Sequence, residues 1–208
     1  MTIEARYEDI LTAACDVIAR RGFPQASTRE IARTAGLSPA GLYHYVGGKE
    51  EILFLVLDRS LDRLLAQLEA ALARARAPET KILALVQTHL DFGLHQPAAL
   101  KIINRDYELL SEPRRSEITA KRQAYLGRGL QVLRHLDPHG RSGDELLSAT
   151  NLLLGMLNGI ATRPFLRPGR DVRALAAEVA ALFLYGFLER SADRGGAPAA
   201  FPGGKHDA

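Results

Sequence analysis

Apolar residues recur every three or four positions along most of the chain, which is the pattern of amphipathic α-helices. Glycine and proline interrupt this pattern at Gly22, Pro78, Pro97 and Pro113, where helices are expected to end or begin. We find no stretch that alternates between apolar and polar residues as a half-buried strand would. The sequence therefore predicts an all-α protein of about nine helices. They cover about residues 3–21, 28–35, 39–45, 49–77, 79–95, 98–110, 113–136, 144–161 and 172–190.

The second and third predicted helices carry the end signals of a tightly joined pair. Thr28 is expected to cap the first of them, because its hydroxyl can accept a hydrogen bond from a free amide of the opening turn. Gly36 follows, and glycine adopts the left-handed backbone of a helix C-terminus without strain. Ser38 is expected to cap the next helix, with Pro39 at its first position, where no N–H is needed. Two short helices joined in this way indicate a helix-turn-helix, whose second helix fits the DNA major groove.

The fourth predicted helix is long enough to join two parts of the chain as one rigid rod. We expect a head of residues 1–48, an all-helical body of residues 49–190 and a tail of residues 191–208. The tail is rich in glycine, alanine and proline, a composition that predicts disorder.

The last two predicted helices are apolar around more than one stripe, so each must be covered on two sides. The core of the body covers one side, and a second copy of the chain best covers the other. Gly155 and Gly159 lie four residues apart and would let two helices approach closely. The pattern predicts a homodimer through these two helices, with a fully buried monomer core as the alternative.

The composition of the 208 residues, with 47% hydrophobic and 25% charged, is that of an ordinary globular protein. The N-terminus lacks the basic and then apolar pattern of a signal segment, and we find no run of 18 uncharged apolar residues. The single cysteine, Cys15, fits a reducing compartment. We therefore expect a cytoplasmic protein that does not act on a membrane.

The formal net charge is only +3, which is modest for a protein that binds DNA. Within the first 50 residues, Arg29, Arg33 and Lys49 gather on the expected DNA side, although acids balance them in number. The excess of cations lies later in the chain. This excess has two possible interpretations: a functional basic patch, or a codon bias that favours arginine. The residues concerned are Arg114, Arg115, Lys121, Arg122, Arg128, Arg134, Arg163, Arg167, Arg170 and Arg173.

The stretch from Tyr7 to Leu57 contains the pattern T-x-x-x-I-A-x-x-A-G-x-S-x-x-x-L-Y-x-Y-x-x-x-K-E-x-x-L without a gap. This pattern resembles the N-terminal domain of the TetR family of bacterial transcriptional regulators. The resemblance implies a three-helix helix-turn-helix head and a helical body for ligand binding and dimerisation. It also implies a double-stranded DNA operator and a small-molecule effector as partners. Most members of this family are repressors, although the sequence itself does not separate repressor from activator.

The resemblance also assigns roles on the DNA side. A two-fold dimer would place two recognition helices roughly 34 Å or more apart, which requires a palindromic operator. Arg29 is the strongest bidentate donor of the set and would favour guanine. Core packing is the alternative for both Tyr43 and Tyr45. Phosphate contacts are implied for Thr28, Tyr43, Tyr45 and Lys49. Base contacts are implied for Arg29, Pro39, Ala40, Gly41 and His44, with Ser38 at the helix N-terminus completing the DNA-binding set.

Two stretches, Leu100 to Tyr125 and Gly155 to Gly169, are similar to a TetR subgroup that responds to acyl-CoA thioesters. The second departs from that subgroup, because Gly159 and Phe165 stand near positions where tryptophans are usual. An acyl-CoA needs an apolar tunnel and cations for its phosphates. The candidate cations are Arg105, Arg122 and Arg163. The candidate lining residues are Phe92, Ile103, Tyr107, Tyr125, Met156, Asn158 and Phe165.

Other function classes find less support. We find no G-x-S-x-G, H-E-x-x-H or phosphate-binding loop, so no catalytic residue, cofactor or metal site is expected. His89 and His95 fall on different faces of one helix, which argues against a shared metal. Two alternatives remain: a regulator that responds to a drug or antibiotic, and an architectural DNA-binding protein without a ligand. An internal cavity would argue against the second.

Overall fold

The computed structural model describes residues 3–162 and 171–189, with side chains in the last helix described as far as residue 187. Within these residues the chain forms nine α-helices, one 3-10 turn at Tyr107–Leu109 and no strand, which confirms the predicted all-α fold. The predicted tail lies outside the described residues. The helices are α1 (Ile3–Arg21), α2 (Thr28–Thr34), α3 (Pro39–Leu42), α4 (Lys49–Arg74), α5 (Pro78–His95), α6 (Pro97–Arg105), α7 (Arg114–Leu136), α8 (Gly143–Ala161) and α9 (Val172–Glu189).

The cap of α2 differs from the prediction by one residue. Ser27, which has an extended backbone, is the N-cap, and its Oγ accepts a hydrogen bond from the amide of Glu30 at 3.1 Å. Thr28 is thus the first helical residue, and its hydroxyl is left for another partner. The predicted left-handed position is confirmed, since Gly36 has a φ of +67°.

Three helices end at least three residues earlier than the periodicity predicted, and α4, which stops at Arg74 rather than near Ala77, is one of them. α3 stops at Leu42, because the next residues form a tight turn in which the amide of Tyr45 donates to the carbonyl of Leu42. α6 stops at Arg105 rather than near Leu110, and the chain continues as the 3-10 turn. The side chain of Asp106 is buried at this end and binds the guanidinium of Arg105. A local ion pair therefore replaces the last predicted turn of the helix.

The helices enclose one continuous apolar core, and α4 contributes to it along most of its length. In the head, Ile10, Ile31 and Leu42 are fully buried between α1, α2 and α3. In the body, α5 and α8 cross at close range. A Cβ added at Gly93 of α5 would lie 2.5 Å from the Cβ of Ala161. No described helix is both long and apolar enough to cross a membrane.

Acids on the outer face of α4 pair with cations of α7. Nζ of Lys121 lies 2.5 Å from Asp58 and 2.6 Å from Asp62, and Arg128 lies 2.6 Å from Glu69. Individually such exposed pairs contribute little to stability. They matter here because they neutralise Lys121 and Arg128, two of the cations that could have formed a functional basic patch.

Candidate DNA interface and effector cavity

The helix-turn-helix presents a small, exposed surface around the start of α3. Ser38 caps this helix as predicted, since its Oγ accepts the amide of Gly41 at 3.0 Å. Pro39, Ala40 and His44 are exposed beside it. Because the exposed side chains at the helix start are small, the backbone here can come close to a DNA groove.

Two further side chains extend this surface onto α2. Oγ1 of Thr28 and the hydroxyl of Tyr43 lie 3.1 Å apart and share a hydrogen bond. Tyr43 is 53% exposed, which does not fit the core-packing alternative, whereas Tyr45 is half-buried against the core. Arg29 is exposed and has no hydrogen-bond or ion-pair partner among the described residues. Its guanidinium is therefore available to another molecule.

Lys49 has a role inside the head that the sequence did not indicate. Its Nζ donates to the carbonyl of Pro24 at 3.0 Å and lies 4.7 Å from the centre of the Phe23 ring. The ammonium thus fixes the loop between α1 and α2 to the start of α4. It still has hydrogen-bond donors left for a phosphate.

A cavity of about 360 Å³ lies in the body between α4, α5, α6, α7 and α8. Its walls combine leucines with neutral polar side chains. Five of the predicted ligand-binding residues line it together: Ile103, Tyr107, Arg122, Tyr125 and Asn158. The remaining described lining residues are Leu61, Leu64, His89, Leu100, Asn104, Thr119, Gln123, Leu126, Asn151, Leu154 and Gly155.

The other predicted ligand-binding residues lie elsewhere. Phe92 is buried on a different side of α5, towards grooves at the α5–α6 turn, and Met156 lies on the outer face of α8. Arg105 binds Asp106 and donates to the carbonyl of Ile18 at 2.9 Å, so its guanidinium is directed to the head instead of the cavity. Arg163 and Phe165 lie outside the described residues.

A chain of hydrogen bonds, here called the polar chain, runs through the cavity wall from Tyr125 through His89 and Asn158 to Asn104. Nδ1 of His89 lies 3.1 Å from the Tyr125 hydroxyl, and its Nε2 lies 3.2 Å from Oδ1 of Asn158. The same Oδ1 accepts from Nδ2 of Asn104 at 2.8 Å. These four residues come from four helices, so no spacing along the chain predicts them as a group.

Burial keeps the polar chain uncharged. It lowers the pKa of His89 to about 4, against a smaller opposing effect of the bond to Asn158, and it raises the pKa of Tyr125. No pattern in the sequence marks His89 for this role. Its neutral imidazole is a structural part of the cavity wall.

Arg122 supplies the one formal charge among the described lining residues, which include no carboxylate. Its guanidinium lies 4.0 Å from the centre of the Tyr107 ring and donates to the carbonyl of Ile103 at 2.6 Å. The cavity therefore suits a ligand with acceptor or anionic groups, and it offers nothing that would neutralise a cation.

The last turn of α6 connects this cavity with the head. On the cavity side, Arg122 donates a hydrogen bond to the carbonyl of Ile103. Arg105 lies two residues after Ile103 in α6 and donates to the carbonyl of Ile18 in α1. The head is also tied to α4, because Arg59 pairs with Glu8 and lies over the ring of Tyr7.

Comparison with known proteins agrees with this architecture. Residues 10–56 match the family model of bacterial regulatory proteins of the tetR family, and residues 75–187 match a tetracyclin repressor-like C-terminal domain. The HTH-type transcriptional regulator BetI of Brucella suis biovar 1 (strain 1330) is 35% identical over 81 residues, which is 39% of this chain and 41% of the relative. The chain thus spans about two fifths of the length of the curated relatives it matches.

Solved structures are similar over nearly the whole chain. A TetR-family transcriptional regulator from Bordetella parapertussis 12822 has a TM-score of 0.81 and 26% identity, covering 86% of this chain and 93% of that chain. AibR, in complex with isovaleryl coenzyme A and operator DNA, has a TM-score of 0.72 and 24% identity, covering 88% and 97%. The second similarity shows the shared fold. With both halves of its sequence matched, the chain belongs to the TetR family of bacterial transcriptional regulators.

Proposed function

We propose that this chain is a cytoplasmic repressor that binds a palindromic operator as a homodimer and is released from it by an acyl-CoA. The observation that carries the proposal is the pairing of two sites in one chain. An exposed helix-turn-helix lies at one end, and a cavity of about 360 Å³ lies in the body, with α6 in contact with both the cavity and α1.

The homodimer is supported by the outer faces of α8 and α9. Leu152 is 70% exposed, Leu182 is 73% exposed and Tyr185 is 70% exposed, an unusual amount of apolar surface for two helices. A Cβ at Gly155 or Gly159 would meet no atom within 4 Å, so the backbone of α8 is open to a second helix. A second copy of the chain would cover these faces by two-fold symmetry.

The acyl-CoA is supported by the chemistry of the cavity. Leucines and Ile103 offer an apolar wall for an acyl chain, and Arg122 offers a cation for an anionic group. A cationic drug would bury its charge without an acidic partner here. AibR, which shares the fold, was crystallised with a CoA thioester. The architectural alternative predicts a solidly packed body, and the cavity does not fit it.

The test is fluorescence anisotropy of the protein on DNA from upstream of its own gene at fixed ionic strength. Acyl-CoAs of short, medium and long chain are added, with free CoA as the control. Release by one class of chain length, with no effect of free CoA, is the expected result. Tight DNA binding that no thioester disturbs would refute the acyl-CoA and leave the DNA-binding role intact.

A further inference from the structure

The orientation of the Asn158 side chain is fixed by two donors on the same oxygen. Oδ1 receives Nδ2 of Asn104 at 2.8 Å and Nε2 of His89 at 3.2 Å. Because Oδ1 can only accept, Nε2 of His89 must carry its proton, and Nδ1 must accept the proton of the Tyr125 hydroxyl. With its proton on Nε2, the buried imidazole of His89 holds Oδ1 of Asn158 towards itself and towards Asn104, so Nδ2 of Asn158 faces the other way.

The opposite end of this amide is unoccupied within the described part of the chain. Nδ2 of Asn158 donates no hydrogen bond there, although Asn158 lines the cavity and its Oδ1 is fully engaged. The nitrogen is not a buried polar atom without a partner, so it has access to the cavity or to solvent. A fixed donor beside an apolar wall selects for a ligand that brings an acceptor oxygen.

From this geometry we infer that Nδ2 of Asn158 binds a carbonyl oxygen of the effector, and that His89 is the positioning residue that holds this donor in place. The inference rests on the proposed function and makes it more specific. Under it, the regulator recognises the thioester carbonyl itself and not merely the length of the acyl chain. Asn104 supports the same orientation from α6.

The probes are octanoyl-CoA and S-octyl-CoA, a thioester and a thioether that differ in the carbonyl oxygen. Dissociation constants for both are measured on the full chain by titration calorimetry. The wild type is expected to bind octanoyl-CoA about tenfold more tightly, as for one hydrogen bond to a group that is otherwise left unpaired. Asn158→Leu should bring the ratio of the two constants close to one.

The positioning role is tested by two substitutions of His89. His89→Leu removes the donor to Oδ1 of Asn158 and should also bring the ratio towards one, although it leaves Asn158 in place. His89→Gln retains an N–H near the position of Nε2 and should restore most of the discrimination. A purely structural role would change both affinities together and leave the ratio unchanged.

Gln67→Leu is the matched control, because Gln67 is an exposed amide of α4 that lies outside the cavity lining and has no part in the polar chain. Its ratio should equal that of the wild type. Equal binding of the two probes by the wild type would overturn the inference and leave the proposed function standing. A ratio that falls with Gln67→Leu and not with Asn158→Leu would do the same. If neither probe binds, the thioester and thioether pair is remade at the chain length that releases the protein from DNA. If no chain length binds, the acyl-CoA proposal fails, and this inference fails with it.

Discussion

Arg29 is an exposed guanidinium at the second position of α2, and among the described residues it has no partner. We expect Arg29→Ala to cost about 1–3 kcal/mol of operator binding and to relax the base preference at one position of each half-site, because a bidentate contact to guanine is lost. Competition binding against a set of single-base operator variants measures both effects.

Tyr43→Phe is the matched comparison on the same surface. It removes the hydroxyl that Thr28 shares, and with it the proposed phosphate contact, so binding should weaken about equally for every operator variant. If Arg29→Ala left the ranking of the variants unchanged, Arg29 would be a phosphate contact as well.

The buried imidazole of His89 makes the stability of the protein depend on pH. Its pKa is about 4 in the folded chain, against about 6.5 when unfolded, so the unfolded chain binds more protons between these values. The free energy of unfolding should therefore fall as the pH is lowered from 6.5 towards 4, by at most about 1.4 kcal/mol per pH unit from this group.

Urea denaturation of the wild type and of His89→Gln at pH 7.0 and 5.0 measures this contribution. Carboxylates that titrate in the same range affect both proteins and cancel in the difference. The wild type should lose about 2 kcal/mol more than the variant over this interval. Equal losses would mean that His89 is protonated in the folded state or is hydrated there.

At the scale of single residues, the sequence predicted the DNA surface better than the effector cavity. The DNA surface follows from consecutive residues with strong local preferences, such as Ser38 and Pro39, so its geometry could be predicted. The polar chain could not, because Tyr125, His89 and Asn158 are 36 and 69 residues apart and meet only through helix packing. The prediction that Arg105 lines the cavity is wrong, because Arg105 binds Asp106 and the carbonyl of Ile18, and the spacing of residues in the sequence does not reveal these contacts.

Among the elements, the crossing of α5 and α8 depends on the absence of a side chain at Gly93. We expect Gly93→Ala to destabilise the protein by about 1–3 kcal/mol, because the new methyl group would overlap the Cβ of Ala161. Gly127→Ala in α7 is the control, since nothing lies within 4 Å of its added Cβ. It should stabilise the protein slightly through helix propensity.

Thermal unfolding followed by circular dichroism compares the two variants. A Gly93→Ala variant as stable as Gly127→Ala would mean that α5 and α8 can separate without loss, and that their packing is looser than the structure indicates.

The order and number of helices were predicted well because most have apolar residues at helical spacing and are bounded by glycine, proline or a capping residue. Helix ends were predicted less well. The end of α6 depends on the buried Asp106, and the cap of α2 depends on a choice between two adjacent hydroxyl residues, Ser27 and Thr28. Tertiary contacts determine where such helices end, and the periodicity of apolar residues carries no information about those contacts.

For the whole molecule, the exposed faces of α8 and α9 make assembly the main question. We expect Leu182→Glu to raise the dissociation constant of the proposed dimer at least about tenfold, because two-fold symmetry would place two buried charges in one interface. Sedimentation velocity over a range of concentrations measures the constant.

Leu109→Glu is the control, since Leu109 is also an exposed leucine but lies in the 3-10 turn, away from α8 and α9. It should leave the association unchanged. If both variants behaved as the wild type does, the proposed interface through α8 and α9 would be wrong.

The pairing of α7 cations with α4 acids affects how strongly the DNA affinity of the protein should depend on salt concentration. Lys121 and Arg128 already have carboxylate partners and would displace no cations from a phosphate backbone. The counterions released on binding should therefore correspond to the few contacts of each head. Because each phosphate contact contributes about 0.9 to the slope of log affinity against log salt, the slope should be set by residues such as Lys49, and the paired cations Lys121 and Arg128 should add little to it.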